Sequence, residues 1–144
     1  YPIFAALAAT ENAGTAYRIR VEDRWTPIAV IAPHGGNIEP GTSQIAEAIA
    51  GANTSFYAFE RLRAGSGELH ITSTALDEPI ALGRVGRAET AIAIDGRADK
   101  PGFDMGRWRK YVYARRCHCG AERGRICCHR RIANSINIIY LVVD

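Results

Sequence analysis

His34 and Glu39, five positions apart in the stretch APHGGNIEPG (residues 32–41), have side-chain types that can share one metal ion. Zinc accepts imidazole nitrogen and carboxylate oxygen, and catalytic zinc commonly has three protein ligands and keeps one position for water. Two donors at this spacing cannot converge from an extended strand, so the chain has to bend between them. Gly35 and Gly36 permit the positive φ that such a bend can need, and Pro40 stiffens its exit. The same residues also read as a tight strand-to-helix loop with an exposed histidine, because two donors alone do not make a site.

The elements around this stretch have to place it. Residues 28–32 (IAVIA) form a continuous apolar run bounded by turn residues, which suits a strand covered on both faces, and residues 33–41 follow as a loop. Thr42 is expected to cap a helix with Ile45, Ala46, Ile49 and Ala50 on one face and Gly51 closing it. Residues 3–9 read as a short first helix, and residues 17–21 (YRIRV) as a half-exposed strand. Residues 55–59, 69–73 and 90–94 read as further strands, and residues 135–144 (SINIIYLVVD) as a terminal one. Strands alternating with helical segments predict an α/β sheet. In such sheets ligands gather beyond the carboxyl ends of the strands, where this reading puts both His34 and Asp95.

Composition bounds the alternatives. The chain has 144 residues, enough for one domain with its own core, and 47% of them are apolar. No run approaches the roughly 18 apolar residues of a membrane span, and no signal pattern is visible at Tyr1, so a soluble protein is expected. The net charge of +3 conceals an asymmetry. Residues 97–131 hold eleven Lys or Arg against three acids, a net +8 that leaves −5 for the rest, and all four cysteines lie in the same segment.

One resemblance extends beyond local spacing. The blocks VIAPHGGNIEPGTSQIAEAIAG, SFYAFE and LHITSTALDEP, in that order across residues 15–96, closely resemble the poly-γ-glutamate hydrolase family of bacteriophages and bacilli. The resemblance implies a zinc-carboxypeptidase-like fold, three layers (α/β/α) around a mixed central sheet, and a zinc-dependent hydrolase of γ-glutamyl amide bonds. It implies that His34 and Glu39 are the first two zinc ligands. The family's third ligand is a histidine in an H-G pair at a strand end. Here the matching pair is Asp95-Gly96, so Asp95 stands as the third candidate ligand. Carboxylate oxygen binds zinc at a similar distance, but a second carboxylate lowers the effective charge that acidifies water. His70 and Thr72, in LHITST, are the candidate substrate-binding residues. His70 is also a substitute ligand or a packing histidine.

Such hydrolases also need a carboxylate to take a proton from the attacking water and pass it to the leaving amine. The family carries a candidate in a Q-L-E stretch that this chain lacks, and Glu122, in the basic segment, has no family context. The expected partner is poly-γ-glutamate or a γ-glutamyl peptide, met by a monomer in the cytoplasm or on phage lysis, without a membrane. A catalytically impaired relative that binds metal or polyglutamate is the alternative.

The basic segment admits other readings. Cys117, His118, Cys119, Cys127, Cys128 and His129 have the types for structural zinc but not its usual spacing, and a disulfide, free thiols or an accidental composition are all open. RWRKYVYARR mixes arginine with aromatics as nucleic-acid-binding segments do, but with no recognisable binding fold around it; this is the least favoured reading. The abrupt change of composition also resembles a shifted reading frame, which comparison of the coding DNA in all three frames would test.

Overall fold

The computed structural model describes residues 1–64 and 69–96, together with the backbone of two further strands, Tyr111–Arg116 and Asn137–Val143. The expectations for the Cys/His cluster, for Glu122 and for the nucleic-acid-binding run other than the backbone of its strand lie outside the described residues.

Six strands form one sheet: β1 (Tyr17–Glu22), β2 (Ile28–Gly36), β3 (Ser55–Arg61), β4 (Thr90–Gly96), β5 (Tyr111–Arg116) and β6 (Asn137–Val143), in the order β1-β3-β2-β4-β6-β5. The central four run parallel and the two edge strands antiparallel, so the sheet is mixed. Among the described residues three α-helices accompany it: α1 (Phe4–Ala8), α2 (Thr42–Ala50) and α3 (Pro79–Arg87).

Alternation along the strands sorts the core into two layers, because successive side chains point to opposite faces. On one face Val30, Ala32, Phe56, Ala58 and Ile94 pack with Ala46 and Ala50 of α2. On the other, Ile31, Tyr57, Phe59, Ala91 and Ala93 pack with Leu7 of α1 and with Ala81 and Val85 of α3. The architecture is therefore α/β/α. All seven residues of β3 are buried. A fully buried large apolar side chain contributes about 1.5–3 kcal/mol, so Phe56, Tyr57 and Phe59 make this strand a main source of stability.

The path of the chain also makes a crevice. From β2 it crosses through α2 to β3 on one side, and from β3 it returns through α3 to β4 on the other side of β2. The connections diverge at the carboxyl ends of β2 and β4, the topological switch point where open α/β sheets bind ligands.

Several expectations are corrected in detail. β2 does not stop at Ala32: Gly35 and Gly36 still pair with Glu60 and Arg61 after a shift of register beyond Ala32. The irregularity falls on Pro33 and His34. Pro33 has no N–H for the ladder, and a bulge there leaves the histidine free to be re-aimed. The N-cap of α2 is Gly41, at φ +96°, rather than Thr42, whose hydroxyl instead donates to the carbonyls of Glu39 and His34. Ile49 is 43% exposed, so α2 buries a stripe of small residues.

Residues 69–73 are not a strand. Leu69 and Ile71 are buried while His70 and Thr72 are exposed, which reproduces the period of two, but the backbone stays outside the sheet and turns into a 3-10 helix at Ser73–Ala75. Helix α3 carries two glycines, which hide it from a propensity reading. It is started by Pro79 at its first turn and by Glu78, whose carboxylate accepts from the N–H groups of Ile80 and Ala81.

Candidate metal centre

The bulge in β2 puts His34 at the carboxyl end of the sheet, where it is 4% exposed. The two glycines after it serve different purposes. Gly36 has φ +64°, and a Cβ there would lie 2.3 Å from the Arg61 carbonyl oxygen. Gly35 is needed for closeness: a Cβ would meet Ser43 Oγ at 2.0 Å and Glu60 Cγ at 2.9 Å. The bend that brings Glu39 back is closed by the Glu39 N–H donating to the His34 carbonyl at 2.9 Å.

Both ring nitrogens of His34 are accounted for by geometry. Nε2 lies 2.6 Å from the Ile71 carbonyl oxygen, so it carries the proton and donates. Nδ1 faces Glu39 Oε1 at 3.1 Å and Asp95 Oδ1 at 3.2 Å, and this buried atom lacks a well-formed hydrogen bond to either. Glu39 uses its other oxygen to accept from the Gly96 N–H at 2.6 Å. Asp95 is met by Ser73 Oγ at 3.1 and 3.2 Å from its two oxygens.

The two separations from His34 Nδ1 suit a zinc ion, although the donors that all lie within 4.8 Å of one another among the described residues are His34, Glu39 and His70, without Asp95. Donors bound tetrahedrally at 2.0–2.1 Å stand about 3.3 Å apart, close to both separations from His34 Nδ1. Ligating histidines usually donate their other N–H to a carbonyl or carboxylate, as His34 does to Ile71. A neutral imidazole lone pair against two carboxylates is repulsive, so the arrangement calls for a cation or a proton at Nδ1. Burial opposes charge on the ring, but the Asp95 and Glu39 carboxylates and the Ile71 carbonyl outweigh it, and the His34 pKa is pushed up to about 10.

Of the sequence-predicted residues, His34, Glu39 and Asp95 come together. His70 joins them differently: its ring stacks on His34 with centroids 4.3 Å apart, and donor atoms of His34, Glu39 and His70 all lie within 4.8 Å of one another. Thr72 is exposed, and its carbonyl accepts from Ala75 N–H at 2.7 Å. Sequence reasoning missed the orienting groups: the Ile71 carbonyl and the Gly96 N–H are main-chain atoms without a side-chain signature, and the Ser73 hydroxyl is one of several in a run with nothing in its spacing to point to Asp95.

Next to the centre, Glu60 at the end of β3 is 3% exposed and accepts from Arg18 Nε at 2.5 Å. Burial alone would raise its pKa, but the Arg18 and Arg20 guanidinium groups outweigh this and the pKa is lowered. A depressed folded-state pKa contributes stability above the ordinary carboxylate value, and that stability is lost as pH falls through the folded value. Glu60→Gln is therefore expected to destabilise the protein by about 1–3 kcal/mol at neutral pH. The gap should close in acid. Urea unfolding of both proteins at pH 7 and pH 3 checks this; an equal gap at the two pH values would refute it.

The profile of the poly-gamma-glutamate hydrolase family matches residues 1–103. The chain belongs to that family. Its curated relatives in Bacillus subtilis (strain 168) include the UPF0714 protein YndL, 42% identical over 85 residues (58% of this chain, 33% of YndL). The SPbeta prophage-derived UPF0714 protein YoqZ is 45% identical over 83 residues, 57% of this chain and 30% of YoqZ. The chain thus spans about a third of the length of these relatives.

Among solved structures, zinc-free YndL superposes with a TM-score of 0.75 at 27% identity, covering 99% of this chain and 79% of that one. A bacteriophage poly-gamma-glutamate hydrolase superposes with a TM-score of 0.73 at 22% identity, covering 99% and 78%, which supports the fold. No helix among the described residues is long and apolar enough to cross a membrane.

Proposed function

We propose that the protein is a zinc-dependent hydrolase of γ-glutamyl amide bonds in poly-γ-glutamate or related peptides. The observation that carries this reading is the buried His34 Nδ1 facing two carboxylates at 3.1 and 3.2 Å at the switch point of the sheet, in a chain of this family. His34, Glu39 and Asp95 would hold the ion, with His70 at its edge beside the substrate. Bound zinc supplies Lewis-acid activation of water and of the scissile carbonyl. The chain's own residues do the rest. Ile71 keeps the proton of His34 on Nε2, Gly96 N–H holds one oxygen of Glu39 and leaves the other toward His34, and His70, stacked on His34, and Thr72 are both exposed, as substrate contacts would be.

A second reading is a metal-binding relative without turnover. One feature favours it: both carboxylates that face His34 are taken up as donors, which leaves the proton-transfer carboxylate unassigned. Zinc content and hydrolysis of poly-γ-glutamate, measured on the same preparation, separate the two. Bound zinc with chain cleavage supports the hydrolase. Bound zinc without cleavage favours the second reading, and a chain that takes up no zinc refutes both.

A further inference from the structure

We propose that Ser73 is a positioning residue of the metal centre, acting through Asp95. The inference rests on the zinc reading above and extends it to residues 69–75, whose sequence suggested substrate contacts instead. Three groups from this short segment address the centre in order. The His70 ring stacks on His34 at 4.3 Å, the Ile71 carbonyl accepts from His34 Nε2 at 2.6 Å, and Ser73 Oγ contacts both oxygens of Asp95.

The geometry gives Ser73 a defined task. Asp95 sits at the end of β4 with its side chain 17% exposed, so water can replace a lost hydrogen bond at little cost to folding. Orientation is another matter. A short carboxylate at a strand end can turn about its side-chain torsions, and only some settings place Oδ1 at 3.2 Å from His34 Nδ1. One hydroxyl proton shared across the two oxygens, offered from an element 22 residues away in the chain, selects among those settings. Outer partners of this kind typically contribute 10- to 100-fold to metal affinity.

Zinc titration of the full chain against a competing chelator tests the idea, with the thermal midpoint of each metal-free variant recorded alongside. Ser73→Ala is expected to weaken zinc binding by about 10- to 100-fold without moving that midpoint, and Ser73→Thr, which keeps the hydroxyl, to restore most of the loss. In an Asp95→Asn background Ser73→Ala should cost nothing more, because the two act as one unit. Zinc affinity unchanged by Ser73→Ala, or an equal loss in both backgrounds, overturns the proposal while leaving the zinc reading standing. If the unaltered chain takes up no zinc, the zinc reading itself fails and the proposal falls with it.

Discussion

His34→Ala is expected to abolish stoichiometric zinc binding and, with it, any cleavage of poly-γ-glutamate. Among the described residues, His34 is the one whose donor atom faces both candidate carboxylates, at 3.1 and 3.2 Å, and it is the neutral donor among those three. Without it, the Glu39 and Asp95 carboxylates lose the donor that faces both, and the His70 imidazole remains as the neutral donor beside them. The loss should exceed the 100-fold upper end associated with outer partners alone. The substitution also deprives the Ile71 carbonyl of its donor at a buried position, so a drop in stability of about 1–3 kcal/mol is expected as well. Zinc per chain after dialysis, alongside far-ultraviolet circular dichroism to establish that the fold persists, is the measurement. A folded variant that keeps one zinc per chain would show that the metal lies elsewhere. If alanine is too disruptive, His34→Gln retains a donor for Ile71 while removing the imidazole.

Asp95→His carries the second large effect, in the opposite direction. The resemblance puts a histidine at this position, and the structure puts Asp95 at the end of β4 with an oxygen 3.2 Å from His34 Nδ1. Exchanging a carboxylate for imidazole changes the ligand set from one histidine and two carboxylates to two histidines and one carboxylate, a set found in zinc peptidases. It also removes one negative charge beside the ion, which strengthens its pull on water. Hydrolysis is expected to rise on the order of tenfold, with zinc affinity at least preserved. Activity on poly-γ-glutamate and chelator competition measure the two halves. A fall in both would show that Asp95 is suited to its site as it stands, through its contact with Ser73, and that the family's histidine has no place there.

Much of the scaffold is legible along the chain because its signals are local. The apolar runs at 28–32 and 90–94 are buried strands, since a strand covered on both faces has no polar side to show. The motif at 34–41 announces a bend because glycine at Gly36 takes a φ that other residues resist. Helix α3 was not visible, because Gly83 and Gly86 depress its propensity, and its start depends on a glutamate cap and a proline whose role is clear only in place. Residues 69–73 misled for a related reason. Alternation of buried and exposed residues is shared by strands and by any extended segment lying on a core, and only ladder pairing tells them apart.

The sequence by itself determined the family, the α/β class and the residue types from which a metal centre can be made. These depend on composition, order and short-range pattern, which survive in one dimension. The tertiary structure decided how those residues meet. The bulge at Pro33 and His34 aims the imidazole, the diverging crossovers open the crevice between β2 and β4, and Gly96 approaches Glu39 so closely that a Cβ there would stand 3.0 Å from that side chain. Orientation of the donors rests on a carbonyl, an amide and a hydroxyl far away in the chain. Hydrogen bonds of that kind are set by distance in space, and no spacing along the sequence encodes them.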